Sequence, residues 1–595
     1  MISVNSGILR QFLRGLPLVR DLRGVLMNLD SRLASLERRV ERNESREYMD
    51  QALAVVSEFW RSYDLRVEPD CPPILVDLFH SNTEYLWRNL VIAKLVQHVT
   101  AAPLVGLFGE PGVVGSATGG QLSRGNNVRL ASAFGVNRFI DAPNEDALCA
   151  AERPASVAIA DLAASQSDGT PLAPAAIAKL REVRTESGFP LGRAIQETFM
   201  RAELMPTVLA GTRLRHWTKR VLGFVDFAER LIATMHPAVF VTGHVDYCPW
   251  GTLAELLVRR GGRVVWYRGD CRLPIHILDQ IDETSTLNGM IRRLERNAFC
   301  EFEHQIDGDA DLAFRIDALA EARSAAVRKG VGRHCRWVSV NPAADSRAVP
   351  VTFQNNNLPT YCLFAHTFTD QPAADEALFV DYLEWVEETC RHAATTQAYN
   401  LIVKIHPLDR YYDHSGAADR LAAEFETTAN VRFTRDAIEP QQLAEHCVLG
   451  LTVRGTPGLE MTELGLPMML AGRGLYSGTG ICLTPRTRTE YFDLLAGGPP
   501  FPIDIATQSR RARRYMAFDR HWSAPMTPLV PSFNGRSATD PDLWILIING
   551  IRSACLETDQ VARALARAWS KGSAKVISAE ADELFASAAS CGQAH

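Results

Sequence analysis

Polar and glycine residues stand directly after several short apolar runs, at the places where strands end. His406 and Pro407 follow LIVKI, with Lys404 two positions before the histidine. Arg454, Gly455, Thr456, Pro457 and Gly458 follow CVLGLTV, and Glu460 lies just beyond. Gly472, Arg473 and Gly474 follow PMMLA, and His366, Thr367 and Asp370 follow CLFA. Core packing does not demand these types there. The chemistry they offer is anion binding. A glycine loop entering a helix brings backbone N–H groups close to a phosphate. Arg454 and Thr456 add donors to phosphate oxygens. Lys404 and His406 alternate along a strand and can face one side. A strand-end imidazole hydrogen-bonds phosphate in either protonation state. The structural alternative for RGTPG is a helix start, with Thr456 near the cap and Pro457 early in the first turn.

A second chemistry is proton transfer. His244, Asp246 and Tyr247 follow the run AVFVTG, Asp370 follows CLFA, and Glu110 sits in the glycine-rich stretch GEPGVVGSATGGQLSRGN. A carboxylate or imidazole at a strand end is placed to deprotonate a hydroxyl. His244 and Asp246 rank first, although Asp246 can equally cap a turn. No carboxylate pair shows metal-ligand spacing, so the expected stabilisation of a leaving group is metal-independent, by His, Arg and helix dipoles.

These residues need a scaffold of alternating strands and helices. FVDFAERLIATM, AVFVTGH, WGTLAELLVRRGG and RVVWYRG alternate helix and strand. TYCLFAH, ALFVDYLEWVEETCRHA, NLIVKIH, SGAADRLAAEFET, NVRFT, PQQLAEHC, CVLGLTV, GLEMTELG and PMMLAG repeat the pattern. Such alternation predicts an α/β protein with two doubly wound, Rossmann-like domains. The expected division is a helical or coiled-coil segment at 1–50, one Rossmann-like domain at 51–340, a second at 341–505, and a helical segment at 506–595. The interdomain connection is placed at 330–358. The tail after Ser570 is Ala- and Ser-rich and is expected to fray. Residues 22–43 carry one apolar seam with charges elsewhere, which suits an oligomerisation helix or an amphipathic helix packed on its own domain. Arg10, Arg14, Arg20 and Arg23, and the run Arg510, Arg511, Arg513 and Arg514, are candidate contacts to an anionic membrane; a solvated helix face is the plainer reading of the second group.

The chain has 595 residues, 63 Lys plus Arg against 69 Asp plus Glu, and a net charge of −6, which disfavours a dedicated nucleic-acid binder. Hydrophobic residues at 46% exclude wholesale disorder. The twelve cysteines form no CxxC pair and read as reduced thiols of a cytoplasmic protein. MISVNSGILRQFLRG lacks the apolar stretch of a signal peptide, and no apolar run reaches the about 18 residues of a membrane span.

VKIHP, followed later by TVRGTPGLEMTELGLPMMLAGRGLYSGTG, resembles the C-terminal domain of bacterial capsule and surface-polysaccharide glycosyltransferases of the GT-B fold. FAHTFTDQP before LFVDYLEWVEETC resembles a stretch of the same group, and GHVDYCPWGTLAELLVRRGGRVVWYRG does so more weakly. The likeness covers roughly residues 359–495. It implies an interdomain cleft, a nucleotide-activated sugar on the C-terminal domain, and a glycan or lipid-linked glycan acceptor on the N-terminal one. By the same resemblance His406 and the Arg454–Gly458 loop contact donor phosphate, and Glu460 matches a ribose-binding position. Where many relatives carry Ser-Thr or Ser-Ser, this loop reads RGT. The resemblance implies no cofactor, only the nucleotide-sugar, CMP- or UDP-linked. Polyol-phosphate transfer from a CDP-linked donor, sugar-nucleotide epimerisation, and a non-catalytic scaffold are the other functions the pattern admits.

Overall fold

The computed structural model describes residues 45–576 except 64, 81, 110–121, 151–158, 160–166, 270, 283–285, 329–350, 354–356, 373–376, 437, 534–535 and 537. The seam at 22–43, the arginines at 10–23, Glu110 and most of the 330–358 connection lie outside the described residues.

The first domain is built on seven strands, β1 (Ile74–Asp77), β2 (Leu104–Phe108), β3 (Arg138–Asp141), β4 (Val239–Thr242), β5 (Arg263–Tyr267), β6 (Ile275–Leu278) and β12 (Lys575–Val576), in the order β12-β6-β5-β4-β1-β2-β3. Strands β1 to β5 pair in parallel, while β6 joins β5 and β12 joins β6 antiparallel. Strands β1, β2 and β4 are buried at every position, as parallel strands covered on both faces must be. Helices α1 (Thr83–Thr100), α10 (Pro541–Ser553) and α11 (Gln560–Lys571) cover one face. Helices α2 (Leu191–Glu203), α3 (Thr212–Met235) and α4 (Thr252–Arg259) cover the other. Asn82 caps α1 by accepting from the Glu84 N–H at 2.9 Å, which fixes where the chain turns from β1 into the helix.

The second sheet holds β7 (Thr360–Phe364), β8 (Asn400–Lys404), β9 (Val431–Thr434), β10 (Leu449–Thr452) and β11 (Met468–Leu470), all parallel, in the order β11-β10-β7-β8-β9. Helices α7 (Tyr382–Thr396) and α8 (Pro457–Glu463) lie on opposite faces. The two sheets share one plan. In each, the first strand is central, with the second on one side and the fourth on the other. The winding therefore reverses between β1 and β4, and again between β7 and β10. Ligands of doubly wound sheets bind at the carboxyl ends of the strands flanking that reversal.

The end of the chain returns to the first domain. Trp87 in α1 donates its indole N–H to the Leu529 carbonyl at 2.7 Å, and Trp544 in α10 is fully buried in the same core. Between the domains, α5 (Leu287–Asp307) and α6 (Ala310–Arg328) pack on α9 (Ile505–Ala517) through Phe299, Phe302, Ile316, Tyr515 and Phe518. Three of the four RRARRY arginines turn toward carboxylates, while Arg510 stays exposed, as a solvated helix face would have it. Arg514 is buried and paired with Asp307 and Asp317, Arg511 meets Glu303, and Arg513 meets Glu321. Carboxylates of α5 and α6 thus draw Arg511, Arg513 and Arg514 inward. The tail also departs from expectation. Lys575 and Val576 complete the first sheet, because Lys575 finds a buried partner in Glu295.

Candidate active site

The carboxyl ends at the two reversals meet. From the first domain, β1 runs into His80 and β4 runs into His244, Asp246 and Tyr247. Asp77 braces this end: its buried carboxylate accepts from Thr242 Oγ1 at 2.9 Å, from the Phe79 N–H at 3.0 Å and from Trp250 Nε1 at 3.1 Å. Burial raises the Asp77 carboxyl to about 6, and these donors restrain the rise. Trp250, so fixed, stacks on His80 at 4.5 Å between centroids; Tyr85 stacks on the same ring at 4.5 Å, and His244 lies 4.8 Å away. Burial drives His80 well below the usual imidazole range and brings His244 to about 4, with Arg201 adding to the second shift. Both rings are therefore neutral at pH 7. The Nε2 atoms of both are buried with no hydrogen-bond partner among the described residues. Orphaned buried nitrogens at a strand end mark a place that a ligand completes.

From the second domain, β7 runs into His366, Asp370 and Gln371, and β10 into Arg454 and Gly455. His366 stacks on Tyr382 at 4.9 Å, and its Nε2 is also unpartnered. Burial, reinforced by Arg454, lowers its pKa to about 3. The His406 Nδ1 accepts the Leu408 N–H at 3.1 Å, which leaves Nε2–H as the donor of the neutral ring. Burial also lowers the pKa of His406. Close approach sets the loop residues. A Cβ on Gly458 would lie 1.9 Å from the Tyr476 hydroxyl, and one on Gly455 3.1 Å from His366 Nε2. Tyr476 O–H donates to the Gly455 carbonyl at 2.6 Å and so anchors the turn.

The two walls are joined by hydrogen bonds. The Asp246 carboxylate accepts from Asn288 and from the Gln371 side chain. Tyr247 O–H donates to Asp370 at 3.3 Å and accepts the Gln371 backbone N–H at 2.8 Å. Arg454 donates to the Gln371 carbonyl at 3.2 Å. Tyr247 and Gln371 both have φ in the left-handed region, 57° and 51°, which side chains other than glycine adopt at a cost of about 1–3 kcal/mol. Contacts across the cleft hold that strain.

The carboxylates differ in state. Burial, aided by Glu197, raises Asp246 to about 7. Burial works the same way on Asp370, but Arg201 and Arg454 outweigh it and hold this carboxyl below its ordinary range. One group can thus exchange a proton near neutrality while its neighbour stays charged.

His244, Asp246, Asp370, His406, Arg454 and Gly455 gather at the cleft, with Gly458 behind the loop. Thr456 and Glu460 are exposed at the start of α8. Lys404 turns its ammonium to the Asp436 carbonyl at 3.0 Å, at the rim of the cluster. The cleft also contains His80, Tyr85, Arg201, Gln371 and Tyr382, which the strand-end pattern did not single out. His80 closes ILVDLFH, after Pro72 and Pro73, but Asp77 interrupts that apolar run and masks the signal.

Two doubly wound domains with their reversal points facing across a cleft define the GT-B architecture. Residues 347–492, which contain the whole second sheet, match the family model of capsule polysaccharide biosynthesis proteins. No curated protein matches the chain. Among solved structures, a KpsC beta Kdo 2,4 transferase of Thermosulfurimonas dismutans is 12% identical over 53% of this chain and 87% of its own, with a TM-score of 0.30. An O-GlcNAc transferase variant of Thermobaculum terrenum is 12% identical over 87% and 79%, at 0.25. A UDP-GlcNAc 2-epimerase of Methanocaldococcus jannaschii, in complex with UDP-GlcNAc and UDP, is 12% identical over 52% and 82%, at 0.20. The architecture rests on the strand order itself. Among the described residues, no helix is long and apolar enough to cross a membrane.

Proposed function

We propose that the protein is a glycosyltransferase that moves a sugar from a nucleotide-activated donor to a surface-polysaccharide acceptor. One observation carries this reading: Asp246 and Tyr247 of one reversal point are hydrogen-bonded to Asp370 and Gln371 of the other. A base and a charged carboxylate from different domains thus share one cleft, beside an arginine and imidazole N–H donors suited to phosphate.

The donor phosphate lies against Arg454, His366 and the His406 Nε2–H. These groups stabilise the charge that builds on the departing nucleotide as its bond to the anomeric carbon breaks. Helix α8 has only seven residues, so the arginine and imidazoles carry more of this task than the helix dipole. Asp370, held ionised, faces the positive charge that develops on the sugar ring. The acceptor hydroxyl enters from the His80 and His244 side. Its proton passes to Asp246, which exchanges the Gln371 amide for the substrate, as its oxygen bonds to the anomeric carbon.

The test is a thermal-shift screen with CMP, CDP, UDP, GDP and ADP on wild type and His406→Ala. A ligand at 100 times its Kd adds about 2.7 kcal/mol to the folded state. One nucleotide is expected to shift the wild type, and the variant is expected to fold and lose the shift. A folded variant with unchanged nucleotide affinity sinks the phosphate assignment.

A further inference from the structure

We infer that Arg201 forms a second anion subsite in the cleft, separate from the phosphate seat at Arg454, which takes a carboxylate or phosphate group carried by the acceptor. This rests on the transferase reading for the assignment of the first domain to the acceptor.

Arg201 lies in the last turn of α2. Its guanidinium carbon sits 4.5 Å from the ring centre of Tyr412 and 5.9 Å from that of Tyr247. Two tyrosines thus pack around it at the junction of the domains. Its neighbours on this side of the domain are paired with carboxylates: Arg193 with Glu197 along the same helix, and Arg259 with Glu255 on α4. Arg201 has no carboxylate within 4 Å among the described residues; Asp370 reaches it only through the longer-range field. A half-buried guanidinium loses hydration, and tyrosine faces return only about 0.5–2 kcal/mol. An anion that arrives with its own charge supplies the rest.

The surroundings fit such a guest. His244 lies in the field of Arg201, and so does Tyr85. The orphaned Nε2 atoms of His244 and His80 belong to the same stacked group, and His80 is only 5% exposed. Neutral imidazoles can donate N–H to an anion without adding repulsion. The charge count agrees. Among the described residues the cleft holds two arginines without an ion pair, Arg201 and Arg454, against Asp370, whose carboxyl is held below its ordinary range. A donor phosphate is met by Arg454, and the remaining cation stands on the acceptor wall.

The experiment loads the protein with whichever nucleotide gives the largest thermal shift. Glucuronate, glucose 6-phosphate and glucose are then titrated calorimetrically. One of the two acids is expected to bind, and which one does separates carboxylate from phosphate recognition; neutral glucose is expected not to. Arg201→Gln should weaken the acid about tenfold or more while changing the nucleotide Kd less than about threefold, and Arg454→Gln should do the reverse. Arg201→Lys, which keeps the charge, should recover part of the binding and so separates recognition from packing. Acids that bind no better than glucose, or bind Arg201→Gln as well as wild type, overturn the subsite. If no nucleotide binds the wild type, the transferase reading fails on its own. The subsite is then read with inorganic phosphate on the unliganded protein, where binding lost in Arg454→Gln but kept in Arg201→Gln overturns it.

Discussion

The two reversal points have the same strand order and opposite chemistry. The first is lined by stacked flat rings, His80, Tyr85, His244 and Trp250, all neutral at pH 7. The second is lined by Arg454, a glycine turn and imidazoles with one donor each. Flat neutral rings suit the face of a sugar; a cation beside a tight turn suits phosphate oxygens. Topology therefore places both sites, and the residues just past the strands decide what each one receives. In the proposed transferase, the division of labour between donor and acceptor walls would follow from four or five side chains on an otherwise shared plan.

Four substitutions break or sharpen that contrast. Asp246→Asn removes the proposed base, and it should lower transfer by about 10²–10⁴-fold with nucleotide affinity retained. A drop under about tenfold in a folded variant assigns the proton to another group. Arg454→Met strikes only the phosphate wall. It should weaken nucleotide binding about a hundredfold by calorimetry, through loss of a charge-assisted contact of about 1.5–3 kcal/mol. Gly458→Ala drives a methyl against the Tyr476 hydroxyl and should cost about 1–3 kcal/mol in chemical denaturation. Adding Tyr476→Phe should recover part of that cost, and no recovery would place the clash elsewhere. His80→Ala strikes the proposed acceptor wall alone: the apparent KM for acceptor should rise about tenfold, by loss of ring stacking, with the nucleotide Kd unchanged.

Asp246 also gives a pH signature. Its folded pKa, about 7, lies above the ordinary 3.8 of an aspartate. Between those values the folded state binds more protons than the unfolded state, so the group stabilises at low pH and that contribution fades as pH rises to about 7. Asp77 and Asp381, raised to about 6 by burial, act in the same direction over a narrower range. Asp246→Asn should therefore lose less stability than wild type between pH 4 and 7; parallel curves would show that Asp246 is not raised.

The second domain was readable almost strand by strand, because its strands are clean apolar runs separated by amphipathic helices. The same pattern exposed His406, Arg454 and Asp370. Other parts carried no such signal. Strand β1 hides in ILVD, where an aspartate ends the apolar run, and only the fold reveals that Asp77 is consumed by Thr242 and Trp250. Arg201 reads as an ordinary basic residue at a helix end, and Gln371 as a loop residue; both matter because the opposite domain meets them. The pairing of Arg511, Arg513 and Arg514 could not be read from the run because their carboxylate partners, Glu303, Asp307, Asp317 and Glu321, lie far away in the chain. Strand β12 has two residues, too few for any periodicity.

That short strand bears on how the protein is made. The edge it covers, β6, is synthesised early and belongs to a sheet whose other strands are already present. Glu295, on α5, is fully buried beside Arg268 and His276, and its ammonium partner Lys575 comes from the far end of the chain. Until that residue leaves the ribosome, the first domain has an open strand edge and a carboxylate short of one of its cations. Folding during translation therefore cannot finish domain by domain. The second sheet, complete by Leu470, is free to form while the first still waits for its last strand, and a chaperone that shields bare strand edges would have its longest opportunity there.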